Sequence, residues 1–207
     1  AADDLRATVD EYLERLPLAR ELGRLEEVVR YAIGSGGKRV RPVLCLAVAE
    51  AAGGTVDYAL PAAAAIELVH SFSLVHDDLP ALDDDAERRG RPSAHVAFGE
   101  GVALLAGDAL LAEAQRLALT YDDPAIAREL AEATLGMIGG QFRDVTGDVE
   151  DLAAVQRLKT RRNEPSCEAC AMKAFAPASK SSSVLRTARA SGSSLKARGT
   201  TVKPSFA

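Results

Sequence analysis

Tryptophan is absent from the 207 residues, and the other aromatics amount to five Phe and four Tyr. A core without large rings is closed by many small contacts. Ala and Leu supply much of the 47% hydrophobic content, which favours closely packed helices. Cysteine is scarce: Cys45, Cys167 and Cys170. An odd number, with no signal peptide, argues against a disulfide framework and points to a reducing, cytoplasmic setting. Cys167 and Cys170 form a lone C-x-x-C with no second pair and no His after His95, which argues against a structural zinc site. No unbroken apolar run reaches the roughly 18 residues of a membrane span, so no transmembrane segment is expected. Positive charge is in deficit, with a net of -5, which argues against general nucleic-acid binding. The chain does not open on Met, and residues ahead of Ala1 are expected to be missing or processed.

What is abundant is carboxylate in one place. Leu74 to His95 (LVHDDLPALDDDAERRGRPSAH) holds five Asp, one Glu and three Arg directly after an apolar helical run. Asp77 and Asp78 fall near the end of that run, where the helix dipole prefers cations. A helix gains nothing from gathering Asp77, Asp78, Asp83, Asp84 and Asp85. A hard cation does: Mg2+ takes oxygen ligands and bridges carboxylates to substrate phosphates. Arg88 and Arg89 follow at once, and the guanidinium fork suits phosphate. The segment therefore reads as a metal–diphosphate clamp, against the plainer reading of a solvated acidic loop. Asp77 and Asp83 are six apart and diverge on an unbroken helix. A break at Pro80 with a two-residue bulge restores convergence; Asp84 is the alternative on an unbroken helix.

The rest of the chain predicts helices over 3–22, kinked or divided by Pro17, and over Leu25–Ile33 with Gly34 as the stop. Gly36-Gly37-Lys38-Arg39-Val40-Arg41-Pro42 then places three cations within four residues at the start of a helix running to about Ala52. Such a loop is a candidate anion site or simply a basic cap. A long helix is expected from Asp57 to Leu79, and His70, two turns before Asp77, shares its face. Further helices are expected over Gly99–Leu119, from the Asp123-Pro124 cap to Gly139-Gly140, and over Glu150–Thr160. Asp108 is either a polar inward position or a spacer.

The character changes after Thr160. Residues 1–160 hold 16 Lys+Arg and 28 Asp+Glu, whereas 161–207 hold 9 and 2 and also nine of the 13 serines. The chain thus divides into a helical domain, 1–160, and a basic Ser/Arg/Lys-rich tail, 161–207, whose composition is closer to disorder than to a core.

GGKRVRP at 36–42, ELVHSFSLVHDDLPALDDDAERRGRPSAH at 67–95, FGEGVALLAGDALL at 98–111, GGQFRDV at 139–145 and LKT at 158–160 resemble, in order, the blocks of the trans-isoprenyl diphosphate synthases, the farnesyl/geranylgeranyl diphosphate synthase family. The resemblance implies an all-α fold, helices around a central cavity, usually as a homodimer. It implies that Asp77, Asp78 and Asp83 bind Mg2+ and through it the allylic diphosphate, which Arg88 also contacts. Lys38, Arg41, His70 and Arg89 match the isopentenyl diphosphate site. Gln141, Asp144, Lys159 and Thr160 match the lower cavity. Phe72, five residues before Asp77, matches a position in the elongation cavity, and an aromatic there is similar to bacterial farnesyl diphosphate synthases. The implied reaction condenses isopentenyl diphosphate with a dimethylallyl, geranyl or farnesyl diphosphate, with two or three Mg2+ ions assisting.

The family also has a second aspartate-rich motif, which supplies ligands to a third metal. It has no counterpart here, since no Asp occurs in 161–207, and the C-terminal part of the fold is therefore expected to be incomplete. The switch at Arg161 reads as a shifted reading frame in the encoding DNA, or a truncated or spliced form. Two readings follow: a short-chain prenyltransferase, or a weak or inactive form that binds diphosphate or pairs with a complete synthase.

Overall fold

Small side chains determine where the helices approach most closely. Ala59 and Ala62–Ala65 on one helix, and Ala103, Ala106, Gly107, Ala109 and Ala114 on another, are all buried. With so little side chain between them the two backbones lie close, and this pair makes the most extensive contact in the fold. The computed structural model describes residues 2–147. In chain order these form α1 (Ala2–Glu14), a single 3-10 turn (Arg20–Leu22), α2 (Leu25–Ile33), α3 (Val40–Ala51) and α4 (Val56–Asp77). Then come β1 (Glu87–Arg88), β2 (Arg91–Pro92), α5 (Ala94–Phe98), α6 (Glu100–Ala118) and α7 (Pro124–Thr146). The architecture is all-α, as expected, with α4 at the centre against α6 and α3.

α4 is long and apolar enough to cross a membrane by length and composition, although charged residues interrupt its apolar run. It is instead the core helix, 78% of its most apolar window being buried inside the protein.

Several boundaries differ from expectation. The first helix ends at Glu14, before Pro17. The segment after it is held by Glu113 of α6, which accepts from the Ala19 N–H at 2.7 Å, and by Arg116, which donates to the Pro17 carbonyl at 2.6 Å. Pro61 lies inside α4 beyond its first turn, and the freed backbone is repaired from outside. The Ala62 N–H donates to the Tyr121 hydroxyl at 3.1 Å, and that hydroxyl donates to the Tyr58 carbonyl at 2.6 Å. α7 runs straight through Gly139-Gly140 and stops at Gly147, which is left-handed at φ 65°. The short antiparallel ribbon β1–β2, with Glu87 opposite Pro92 and Arg88 opposite Arg91, has no counterpart in the sequence reading. Arg89 and Gly90 form its turn at φ 56° and 77°, both positive, as a two-residue hairpin requires. The predicted helix over 150–160, Lys159, Thr160, the Cys167–Cys170 pair and the tail 161–207 lie outside the described residues.

Candidate active site

α4 ends in a turn that carries the acidic cluster. The helix stops at Asp77, three residues ahead of Pro80, and the chain folds back so that the Asp83 N–H donates to the Asp77 carbonyl at 2.9 Å. Leu82 and Asp84 also donate to the Leu79 carbonyl, at 2.9 and 3.2 Å. The expected two-residue bulge is thus a tight loop that brings the backbones of Asp77 and Asp83 together. Asp83, Asp84 and Asp85 are exposed and Asp77 is half-buried.

Asp78 points elsewhere. It is 3% exposed, and both its oxygens accept from Arg88, whose Nε lies 2.7 and 2.9 Å from them, with Nη2 closing a second contact. This bidentate bond, above all, raises the Arg88 pKa, against a smaller opposing effect of burial. The Asp78 carboxylate, expected among the metal ligands, here faces the Arg88 guanidinium. Among the described residues no group of three or more His, Cys, Asp or Glu is arranged to hold a metal ion. Mg2+ commonly takes one or two carboxylates and completes its shell with water and substrate phosphate. The carboxylates of Asp77, Asp78 and Asp83 have the chemistry that fits that mode.

A second feature lies around His70. Burial first, and then the positive charges of Arg41, Arg89, Arg39 and Arg88, push its pKa from 6.5 down to about 4. The side chain is a neutral imidazole at neutral pH, set among cations. The three cations of the 38–41 segment divide in role. Lys38 and Arg41 are exposed. Arg39, left-handed at φ 48°, is buried and bonded to Asp10 at 2.8 Å, Glu67 at 2.7 Å and the Ile33 carbonyl at 2.9 Å. It is a structural anchor for the loop, and a sequence reading of three equivalent cations does not distinguish it. Arg89 reaches from the hairpin to the same loop, donating Nη1 to the Gly36 carbonyl. Gly37, at φ 144°, makes room: a Cβ there would lie 2.5 Å from Arg89 Nη1.

The third feature is a cavity of about 350 Å³ between α4 and α7, lined by Phe72, His76, Asp77, Ile138, Gln141 and Phe142 among others. It brings together Phe72, Asp77 and Gln141, which the sequence singled out separately. His70 is not in its lining, and Asp144, although on α7, is exposed. His76 was not foreseen. Its Nε2 lies 3.0 Å from the Leu104 carbonyl and 4.0 Å from exposed Asp108, and its ring stands edge-on to Phe72 at 4.8 Å. It fits over Gly107, where any Cβ would collide with the imidazole. The signal was present as His directly before the Asp pair and Gly-Asp in α6, but only the fold places them opposite each other.

These arrangements can be set beside known proteins. The polyprenyl synthetase family model matches residues 23–192. The geranylgeranyl diphosphate synthase of Cyanophora paradoxa is 48% identical over 139 residues, 63% of this chain and 46% of that protein. The farnesyl diphosphate synthase of Geobacillus stearothermophilus is 37% identical over 171 residues, 75% of this chain and 57% of that protein. A geranyltransferase crystal structure from Legionella pneumophila superposes with a TM-score of 0.77 at 30% identity, covering 85% of this chain and 68% of that one. The chain spans about half the length of the curated relatives it matches.

Proposed function

The chain belongs to the polyprenyl synthetase family, and on that premise we propose that it is a short-chain trans-prenyltransferase condensing isopentenyl diphosphate with an allylic diphosphate. The observation that carries the reading is one of placement. An apolar cavity lined by Phe72 and Gln141 has Asp77 in its wall, and Arg88 is fixed to Asp78 at the same end of α4. Further back on α4, His70 stands within the field of Arg41, Arg89, Arg39 and Arg88. Cation, leaving group and nucleophile would each have a region of matching chemistry.

In this reading Asp77, Asp78 and Asp83 would hold Mg2+, and Asp78 also orients Arg88 toward the allylic diphosphate. When bound, Mg2+ supplies positive charge that stabilises the departing pyrophosphate. Arg88 adds a preorganised donor at the same place. The allylic C–O bond breaks, and pyrophosphate leaves with the electron pair. The double bond of isopentenyl diphosphate, whose headgroup Lys38, Arg41, His70 and Arg89 hold, attacks the allylic carbon. Loss of one proton to pyrophosphate then forms the new double bond. The largely apolar lining leaves water few hydrogen-bonding partners beside the cation, which water would otherwise capture. Lys159 and Thr160 join this set by family resemblance.

A fifteen-carbon, farnesyl product is the finer reading. It is supported by the Phe72 ring, which lines the cavity where a chain would lengthen. The reading extends to a homodimer in the cytoplasm; exposed Val102 and Leu105 on α6 support a surface for a second copy. The second reading, a weak or inactive diphosphate-binding or partner subunit, is favoured by one observation, that 161–207 contains no Asp from which a second metal motif could be built.

A product assay separates the two. The full chain is incubated with Mg2+, isopentenyl diphosphate and dimethylallyl, geranyl or farnesyl diphosphate in turn, and products are read by mass spectrometry. A prenyl product that Asp77→Ala lacks supports the enzyme, and its length tests the Phe72 argument. Diphosphate binding without any product supports the second reading.

A further inference from the structure

The hairpin that carries Arg88 and Arg89 has two residues in each strand. A ribbon this small has no independent stability in water, so its position must be imposed by what it touches. Arg88 has its own anchor in Asp78. Arg89 does not share that anchor, and the contacts that hold its end of the hairpin run in a different direction.

Tyr31, on α2, donates its hydroxyl to the Pro92 carbonyl at 2.7 Å. The Arg91 guanidinium lies over the Tyr31 ring, 4.1 Å from its centroid, and its Nη1 donates to the Gly34 carbonyl at 3.0 Å. Phe98 closes the other edge of Tyr31, with ring centroids 5.0 Å apart. Arg89 adds its own bond to the Gly36 carbonyl. Pro92 and Arg91 lie on β2, whereas Gly34 and Gly36 lie on the loop that leads into Lys38 and Arg41. The contacts therefore join the two cationic segments of the isopentenyl diphosphate pocket to each other. A guanidinium over an aromatic face that also donates to a carbonyl is a directional fastening rather than a loose surface charge.

We propose that Arg91 and Tyr31 are positioning residues for that pocket. They fasten the hairpin to the 34–37 loop and so fix where Arg89 stands relative to Lys38, Arg41 and His70. The inference rests on the reading of that pocket given under Proposed function. It also separates the two ends of the hairpin. Releasing the Arg91 side shifts Arg89, while Asp78 retains Arg88. Loss of Arg91 therefore weakens isopentenyl diphosphate selectively and spares the allylic ligand.

The test is calorimetric titration of the full chain, with Mg2+ present throughout, against isopentenyl diphosphate and against geranyl diphosphate. The proteins are wild type, Arg91→Ala, Arg91→Lys, Tyr31→Phe and Arg41→Ala, the last as the control for the pocket. Arg91→Ala is expected to raise Kd for isopentenyl diphosphate about tenfold or more and to leave that for geranyl diphosphate within about twofold. Arg91→Lys recovers part of the loss, because a cation over the ring is retained. Tyr31→Phe, which removes a single hydroxyl and preserves the fold, gives an intermediate loss and carries the test if Arg91→Ala does not fold. Equal weakening of both ligands would mean general destabilisation and would overturn the assignment, as would unchanged affinity for isopentenyl diphosphate in both Arg91→Ala and Tyr31→Phe. If wild type binds no isopentenyl diphosphate, or Arg41→Ala binds it as wild type does, the pocket reading itself fails and the inference falls with it.

Discussion

At the end of α4 two adjacent carboxylates face different surroundings. Asp78 is buried and accepts twice from Arg88, whereas half-buried Asp77 lines the cavity. Removing Asp78 takes from a partly buried guanidinium its bidentate partner and leaves it the 3.5 Å contact to exposed Asp85, which is expected to cost about 3 kcal/mol. Asp77→Ala is expected to cost less stability than that and, on the enzyme reading, to abolish Mg2+-dependent turnover. Urea titrations of both variants check this, and equal stability losses would sink the division of roles. His70 gives a prediction with a sign. Its folded pKa, about 4, lies below the unfolded value of 6.5, so between these values the unfolded chain binds more protons. Stability is thus fully present above pH 6.5 and is lost as pH falls toward 4, by roughly 3 kcal/mol. His70→Gln should flatten that part of the stability–pH curve; an unchanged curve would show that other groups dominate it. At this scale residue type was legible and partner was not. The sequence could name Asp77, Asp78 and Asp83 as oxygen donors. Only the three-dimensional course of the loop showed that one of them faces Arg88, or that Arg39 is buried against Glu67 while its neighbours are exposed.

Secondary elements succeed or fail on how local their causes are. α2 spans Leu25–Ile33, as its apolar spacing predicts, and Asp123 accepts from the Ala125 N–H at 2.8 Å as an N-cap should. α7 passes through Gly139-Gly140 because a glycine only weakens a helix, by about 1 kcal/mol, and ends it only where left-handed geometry is adopted, as at Gly147. The hairpin was missed because its signal is the Arg89-Gly90 turn inside a charged stretch, with no alternating apolar residues around it. Pro61 shows a local fault repaired at long range. The Tyr121 hydroxyl stands in the broken ladder between Ala62 and Tyr58, a side-chain insertion of the kind that accompanies helix kinks. Tyr121→Phe leaves the ring in place and the Ala62 N–H without that partner, at an expected cost of about 1–2 kcal/mol. The midpoint of urea unfolding should fall with an unchanged slope. A midpoint equal to wild type would mean that another group takes the bond.

Across the whole molecule, the functional reading depends on bringing together segments far apart in sequence: 36–41, 70–89 and 137–145. Their order along the chain was visible as family-like blocks. That 72–82 and 137–145 line one cavity while Arg89 reaches Gly36 was not, because that placement depends on α4 packing against α6, α3 and α7 together. The cavity also accounts for an apolar face that stability alone does not explain. On α7, Ile138, Phe142 and Val145 are 44%, 62% and 58% exposed and line the cavity. Leu135 is 68% exposed on the same helix but outside the lining. If the apolar wall serves to keep water from an allylic cation, polarity should matter at Ile138 and not at Leu135. Ile138→Ser is expected to change stability by under about 0.5 kcal/mol, as at other exposed positions, and to raise the ratio of allylic alcohol to elongated product. Leu135→Ser should leave that ratio at the wild-type value. Mass spectrometry of the quenched reaction reads both species at once. A ratio that moves equally in both variants would point to general loosening of α7, whereas one that moves in neither would mean that water is excluded by some other surface.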